Sequence, residues 1–262
     1  MSAMKILVCI KPVPESEAPI RIAPDGKSIQ TDPLSPLRMN RYDEQALEQA
    51  LLIRDTFPDT RIEVISVGPK RSETVLKRAL GMGADHGVHI CTDTESYLSP
   101  TVIAAWVAAT ARSRNYDLLL SGVMSEDGLH GQVGPLVAEH LSLPCATAVV
   151  CARITPGNGT ASVERVPAQG LRDLLELSLP AVLTIQSDTQ KPRYPSLSNI
   201  LRAKGQDLEI IAAASLDRPE SFQQTVRFKY PQKTRSGRFL EGSPQQKAQE
   251  LLRTLKEKSF LA

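Results

Sequence analysis

The chain predicts a doubly wound α/β fold with a mainly parallel sheet. Three features carry that prediction. Short apolar runs recur without clean alternation, as strands covered on both faces do. Stretches with apolar residues at helical spacing separate them. The two kinds of segment alternate along the chain, which is the pattern of strands and crossover helices.

Taken in order, "ILVCI" (6–10) is the first strand. After Lys11 a proline-rich segment holds Asp25-Gly26 between Ile20/Ile22 and Ile29, which predicts a hairpin and a loop inserted behind that strand. Ala46, Leu47, Ala50 and Leu51 make the stripe of a first helix, and "IEVISV" (62–67) is the next strand. Val75, Leu76, Ala79 and Leu80 make a second helix, opened by Ser72 and closed by Gly81. "GVHI" (87–90) follows, with His86 and His89 flanking a strand. Ser99-Pro100 opens a third helix that runs through Trp106. "DLLLSG" (117–122) is a strand, and Val133, Leu136, Val137 and Leu141 mark a fourth helix.

Between Cys145 and Ser178, "ATAVVCARI", "ASVERV" and "LRDLLELS" predict antiparallel strands joined by "TPGNGT" and "PAQG", extending one sheet edge. "LPAVLTI" (179–185) is a buried strand. Then comes "KPRYPSLSNILRAK", a loop stiffened by Pro192 and Pro195 that ends in one or two helical turns. At about Leu216 the character changes. The stretch 221–240 is basic, without acidic residues, and Ser243-Pro244 opens a last helix with Ala248, Leu251, Leu252 and Leu255 on one face. The predicted organisation is an α/β domain over 1–216 and a C-terminal arm over 217–262.

A net charge of +2 gives no reason to expect nucleic acid or membrane as a partner. Four cysteines, none in C-x-x-C, predict free thiols and a reducing compartment. No apolar run reaches the roughly 20 residues of a membrane span, and no targeting segment is legible. These features predict a soluble, cytoplasmic protein, or one of the mitochondrial matrix in a eukaryote.

In an open parallel sheet, ligands bind beyond the carboxyl ends of the strands. Four segments converge there: Cys9-Ile10-Lys11, Ser66-Val67-Gly68, the loop "RMNRYDE" with Asn40, and Gly122 followed by "VMSEDGLHGQVGP". In the last, Asp127, Gly128, His130, Gly131, Gln132, Val133 and Gly134 form a glycine loop running into a helix, where backbone N–H groups suit a phosphate. Glycine spacing is a weak signal by itself, and the loop is neither a P-loop nor G-x-G-x-x-G. No metal-ligand spacing and no nucleophile–base arrangement is present. The pattern is a nucleotide-like pocket without catalytic machinery.

Certain stretches resemble a known family. They are "MKILVCIKPV", "RMNRYDEQALEQAL", "VISVGP", "RALGMGADHGVHI", "LLSG…GQVG", "VERV…LELSLPAVLTI" and "PRYPSLSNILRAK". Together they resemble the beta subunit of electron-transfer flavoproteins over nearly the full length. The resemblance implies an adenine-nucleotide hydrolase-like fold and an alpha-subunit partner that carries the shuttling FAD at the shared interface. It implies a nucleotide in this subunit, AMP in shuttling members or a second FAD in NADH-linked bifurcating ones. It also implies that the arm packs on the alpha subunit. The proline loop, with Pro192, Arg193, Tyr194, Leu197 and Ile200, then docks acyl-CoA or related dehydrogenases, Leu197 being the anchor.

Asp127-Gly128 and Gln132-Val133-Gly134-Pro135 side with the FAD type, while Leu129 and His130 match neither pattern. Two rival readings predict different behaviour. A stand-alone adenine-nucleotide sensor has no redox role and stays monomeric. A nucleic-acid binder uses the basic tail and is salt-sensitive.

Overall fold

The computed structural model describes residues 3–15, 19–30, 36–93, 97–155, 159–166, 171–186, 191–221, 223–232, 237, 239–258 and 260. The predicted turn "PAQG", residues 156–158 of "TPGNGT", residue 190 of the docking loop and part of the basic tail lie outside the described residues. The chain divides into two compact units, Met1–Arg227 and Phe228–Ala262.

The first unit is built on a nine-stranded sheet. Its strands are β1 (Lys5–Cys9), β6 (Arg61–Gly68), β7 (His86–Cys91), β8 (Leu118–Gly122), β9 (Cys145–Thr155), β10 (Thr160–Arg165), β11 (Asp173–Ser178), β12 (Ala181–Ile185) and β13 (Glu209–Ala212). Two small antiparallel pairs lie outside it: β2 (Pro12–Pro14) with β5 (Leu37–Met39), and β3 (Arg21–Ile22) with β4 (Ile29–Gln30). The second pair is the predicted Asp-Gly hairpin. The sheet order is β11-β10-β9-β12-β8-β1-β6-β7-β13. Every pairing from β9 to β13 is parallel, and β9, β10 and β11 pair antiparallel as the edge extension. β13 is an edge strand that the sequence pattern did not announce, because "EIIA" is too short to show a period.

The helices are α1 (Arg41–Thr56), α2 (Glu73–Met82), α3 (Pro100–Ala111), α4 (Val133–Leu141) and α5 (Leu197–Gly205). Successive strand residues point to opposite faces, so β1 splits its side chains. Ile6 and Val8 pack with Leu47 and Leu51 of α1 and Leu76 and Leu80 of α2. Leu7 packs with Val102 and Trp106 of α3 and Val137 of α4. Both layers are apolar, which explains the unbroken hydrophobic runs.

Two helix boundaries differ from the sequence reading. α2 does not close at Gly81: it runs to Met82 and ends at Gly83, whose φ of 128° suits only glycine. Gly81 serves packing instead, since a Cβ there would lie 3.4 Å from Pro195 Cβ and 3.8 Å from Ile200 Cγ1. α5 thus lies close against α2. Ser72 precedes α2 but makes no side-chain cap, because residues Lys70–Ser72 already form a 3-10 turn into the helix. By contrast, Ser99 caps α3 as predicted, accepting from Val102 N–H at 3.4 Å. His86 and His89 lie within β7 rather than beside it, and His89 is fully buried with Nε2 2.9 Å from the Gly68 carbonyl.

The first unit continues past Leu216. Trp106 Nε1 donates to the Asp217 carbonyl at 3.0 Å and Gln223 Nε2 donates to Gln132 Oε1 at 2.9 Å. The second unit contains α6 (Pro244–Glu257), opened by a capping box between Ser243 and Gln246. None of its residues is buried.

Candidate functional site

The strand order places a topological switch point at β1. From β1 the chain winds through β6 and β7 to one side, then returns to β8 on the other. Cys9↔Ser121 is the last pair of the β1–β8 ladder. Beyond it the two chains part. Ile10 N–H turns to the Ile65 carbonyl at 2.9 Å, and Val123 N–H turns to the Ile185 carbonyl at 2.9 Å. The parting opens a crevice at the carboxyl ends, the usual ligand position in such sheets.

Many of the predicted site residues meet there. Asn40 is buried and holds the loop after β8 with both side-chain groups: Nδ2 donates to the Met124 carbonyl at 2.9 Å, and Oδ1 accepts from Glu126 N–H at 3.1 Å. Lys11 Nζ meets both Asp127 oxygens at 2.7 Å. Burial pushes the Asp127 carboxyl up, but the Lys11 ammonium and the hydrogen bonds bring it below the usual carboxylate range. Cys9 sits at the end of β1, its thiol pushed up to about 12 by burial and by the Asp43 charge. It is a neutral packing group there, not a nucleophile.

The glycine loop runs from Ser125 into α4. Ser125 Oγ accepts from Gly128 N–H at 3.2 Å, and its carbonyl accepts from Leu129 N–H at 2.9 Å. Gly131 adopts φ 62°, the left-handed region that glycine enters without strain. His130 is exposed, with Nε2 3.2 Å from the Tyr97 hydroxyl, so it spans to the loop after β7. Gln132 is the N-cap residue of α4. Gly134 is required by approach: a Cβ would lie 2.4 Å from Thr184 Cγ2 and 2.9 Å from Ser121 Oγ. It seats α4 directly on β8 and β12, bringing the free N–H groups of the first turn, including Val133, to the crevice.

Ser66, Val67 and Gly68 end β6, next to β1. Ser66 is buried and its hydroxyl has no hydrogen-bond partner among the described residues. Val67 packs on the α3–α4 layer.

This donor set could hold a phosphate-bearing ligand. It offers a helix N-terminus, a lysine, glycines that admit close approach, and an unpartnered buried hydroxyl. Among the described residues no cluster of His, Cys, Asp and Glu could hold a metal ion, and no helix is long and apolar enough to cross a membrane.

The proline loop is fixed from below. Arg193 donates through its backbone N–H to Glu48 Oε2 at 2.8 Å, through Nη2 to Glu48 Oε1 at 2.9 Å, and through Nη2 to Asp55 Oδ2 at 2.7 Å. Both carboxylates raise its already high pKa. Pro195 is buried against α2, and Pro192 and Ile200 are half-buried. What the loop presents to solvent is Tyr194, 80% exposed, and Leu197, 74% exposed. Arg78 lies 5.2 Å from the Tyr194 ring centroid. Ser196 caps α5, accepting from Asn199 N–H at 3.2 Å, so Leu197 is held on the first turn of a helix.

Three residues escaped sequence reasoning. Asp43 is only 6% exposed and accepts from Lys11 N–H at 2.8 Å and Gly122 N–H at 3.0 Å. Glu48 is 4% exposed and anchors Arg193. Leu201, 60% exposed, follows Leu197 by one helical turn. The signal for Glu48 was available: a charged residue beside Leu47 in a buried stripe needs a partner.

Residues 34–216 match the family described as "Electron transfer flavoprotein domain". The chain is 32% identical to "Electron transfer flavoprotein subunit beta" of Syntrophomonas wolfei over 97% of its own length and 96% of that protein. It is 29% identical to the protein of the same name from Methylophilus methylotrophus, over 97% and 98% of the two chains. It is 32% identical to "Electron transfer flavoprotein subunit beta, mitochondrial" of Oryza sativa subsp. japonica, over 90% and 93%. The family match over residues 34–216 and these similarities over nine-tenths or more of each chain agree, and the chain belongs to the electron transfer flavoprotein family.

Proposed function

We propose that this chain is the beta subunit of a heterodimeric electron-transfer flavoprotein, with an adenine nucleotide in the β1–β8 crevice and a dehydrogenase docking site on the 191–204 loop. The observation that carries the reading is the convergence of Lys11, Asn40, Gly122 and the α4 N-terminus at the switch point of a family member. Lys11 balances phosphate charge, and the α4 amides and loop glycines hold the phosphate oxygens. Asn40 holds the loop from 124 to 126 in place. The nucleotide is AMP, or a second FAD.

FAD bound with the alpha subunit supplies the electron-carrying chemistry. This chain's own residues bind and orient. Leu197, Leu201 and Tyr194 form a small apolar patch on a loop already ordered by Arg193 and two prolines, so little entropy is lost on docking. The arm after Arg227 packs on the alpha subunit through the Leu251–Leu255 side of α6. The compartment is the cytoplasm, or the mitochondrial matrix in a eukaryote.

Co-expression with the alpha subunit tests the reading. The expected result is a one-to-one complex whose flavin accepts electrons from an acyl-CoA or related dehydrogenase. A chain that stays alone and binds nucleotide without flavin refutes it in favour of the stand-alone sensor.

A further inference from the structure

Asp43 ties together the main chains of the two lips of the crevice, beside the Lys11–Asp127 side-chain pair. The β1–β8 ladder ends at Cys9↔Ser121, and the main chains of Ile10 and Val123 then pair with other strands. No ladder bond joins Lys11 to Gly122. The Asp43 carboxylate spans that gap: Oδ2 accepts from Lys11 N–H at 2.8 Å, and Oδ1 accepts from Gly122 N–H at 3.0 Å. Gly122 is shaped for this contact, since a Cβ on it would lie 2.5 Å from Asp43 Oδ1. Asp43 lies in the first turn of α1, its N–H donating to the Asn40 carbonyl at 3.0 Å, and Asn40 in turn holds the loop from 124 to 126.

We propose that Asp43 is the positioning residue of the nucleotide crevice, its carboxylate setting the distance between the ends of β1 and β8 at which an adenine nucleotide is accepted. This inference rests on the crevice being the nucleotide site. A carboxylate takes two N–H groups at once, one per oxygen. A protonated carboxyl turns one of those acceptors into a donor that faces an N–H. The titratable groups facing it are the Cys9 thiol on β1, the Lys11 ammonium just beyond, and Asp127 in the loop after β8, which pairs with Lys11. Burial pushes the Asp43 carboxyl up to about 7, against the pull of Asn40, the two N–H groups and Lys11. Its charge therefore changes near neutral pH, and the spacing of the lips changes with it.

The experiment compares wild type with Asp43→Asn, each the full chain with its alpha partner, stripped of adenine nucleotide. AMP affinity is measured by calorimetry from about pH 5.5 to 8.5. The ratio of the two affinities cancels the titration of the AMP phosphate. Above neutral pH the wild type binds about tenfold tighter, the expected effect of one lost charge-assisted hydrogen bond. The ratio falls toward one as pH drops through about 7 and Asp43 takes up its proton. A ratio constant with pH, whether one or larger, overturns the inference, since a merely structural role gives a constant penalty. Should D43N fail to fold, adenosine binding to the wild type decides: affinity lost on acidification supports the inference, and a flat profile overturns it. A wild type that binds neither AMP nor adenosine at any pH overturns the reading of the crevice and the inference with it.

Discussion

Gly134→Ala is the sharpest test of how α4 is seated. The added Cβ would lie 2.4 Å from Thr184 Cγ2 and 2.9 Å from Ser121 Oγ, both on buried residues of the sheet. Carbon–carbon contacts settle near 3.5–4.0 Å, so the helix start must lift by about 1 Å. Overpacking of this kind costs about 1–3 kcal/mol. For a unit of this size the melting temperature falls by about 2–4 °C per kcal/mol, a total of about 2–12 °C. The displaced turn also carries the N–H groups assigned to the phosphate, so nucleotide occupancy falls together with stability. Thr184→Ser removes Cγ2 and keeps the Oγ1 that accepts from Ala148 N–H at 3.2 Å. The double variant G134A/T184S should therefore recover much of the loss. Thermal melts and nucleotide counts on the four chains read this out. A G134A chain that melts like wild type with full occupancy, or a T184S change that gives no recovery, refutes the seating argument.

Other expectations follow from the same contacts. Arg193→Ala leaves Glu48 buried without its cation, which costs about 2–3 kcal/mol after allowance for the partial exposure of Arg193. Adding Glu48→Gln should restore part of that, which a melt of the double variant checks. Leu197→Ala changes stability by less than about 0.5 kcal/mol because the side chain is exposed, yet slows electron transfer from a dehydrogenase about tenfold. Stopped-flow reduction of the complex would show unchanged kinetics if the anchor role were wrong. Gln132→Ala removes the hydrogen bond from Gln223 and lowers nucleotide occupancy; full occupancy after purification rejects a role for that side chain. Asp43 also shapes stability against pH. Its folded pKa is raised to about 7, above an ordinary value near 4, so the folded state holds the extra proton between those values. Its contribution is present at low pH and is lost as pH rises through about 7, with a slope of up to about 1.4 kcal/mol per unit. In denaturant titrations of nucleotide-free chains, D43N should lack that part of the slope.

The parallel strands were legible because residues such as Ile6, Leu7 and Val8 must be apolar in succession to serve two layers. The Asp25-Gly26 hairpin and the Ser99 cap were legible because each is local chemistry. What sequence could not supply was the long-range partner of a polar group. Asp43 reads as an ordinary first-turn acid of α1, and only the fold brings Lys11 and Gly122 to its two oxygens. Arg193 reads as a docking cation, whereas its guanidinium is taken up by Glu48 and Asp55 of α1. Gly81 reads as a helix stop because its spacing fits one, while its reason is the approach of Pro195 and Ile200.

In the function proposed, the β1–β8 crevice holds an adenine nucleotide in a redox heterodimer. A cofactor count tests it most directly: purify the chain with its alpha partner, denature the complex and quantify the released nucleotides. FAD plus a second adenine nucleotide per heterodimer is the expected result. One FAD with one AMP makes this subunit a scaffold and docking platform, and two FAD make it the holder of a redox flavin. A single FAD with no other adenine nucleotide contradicts the claim.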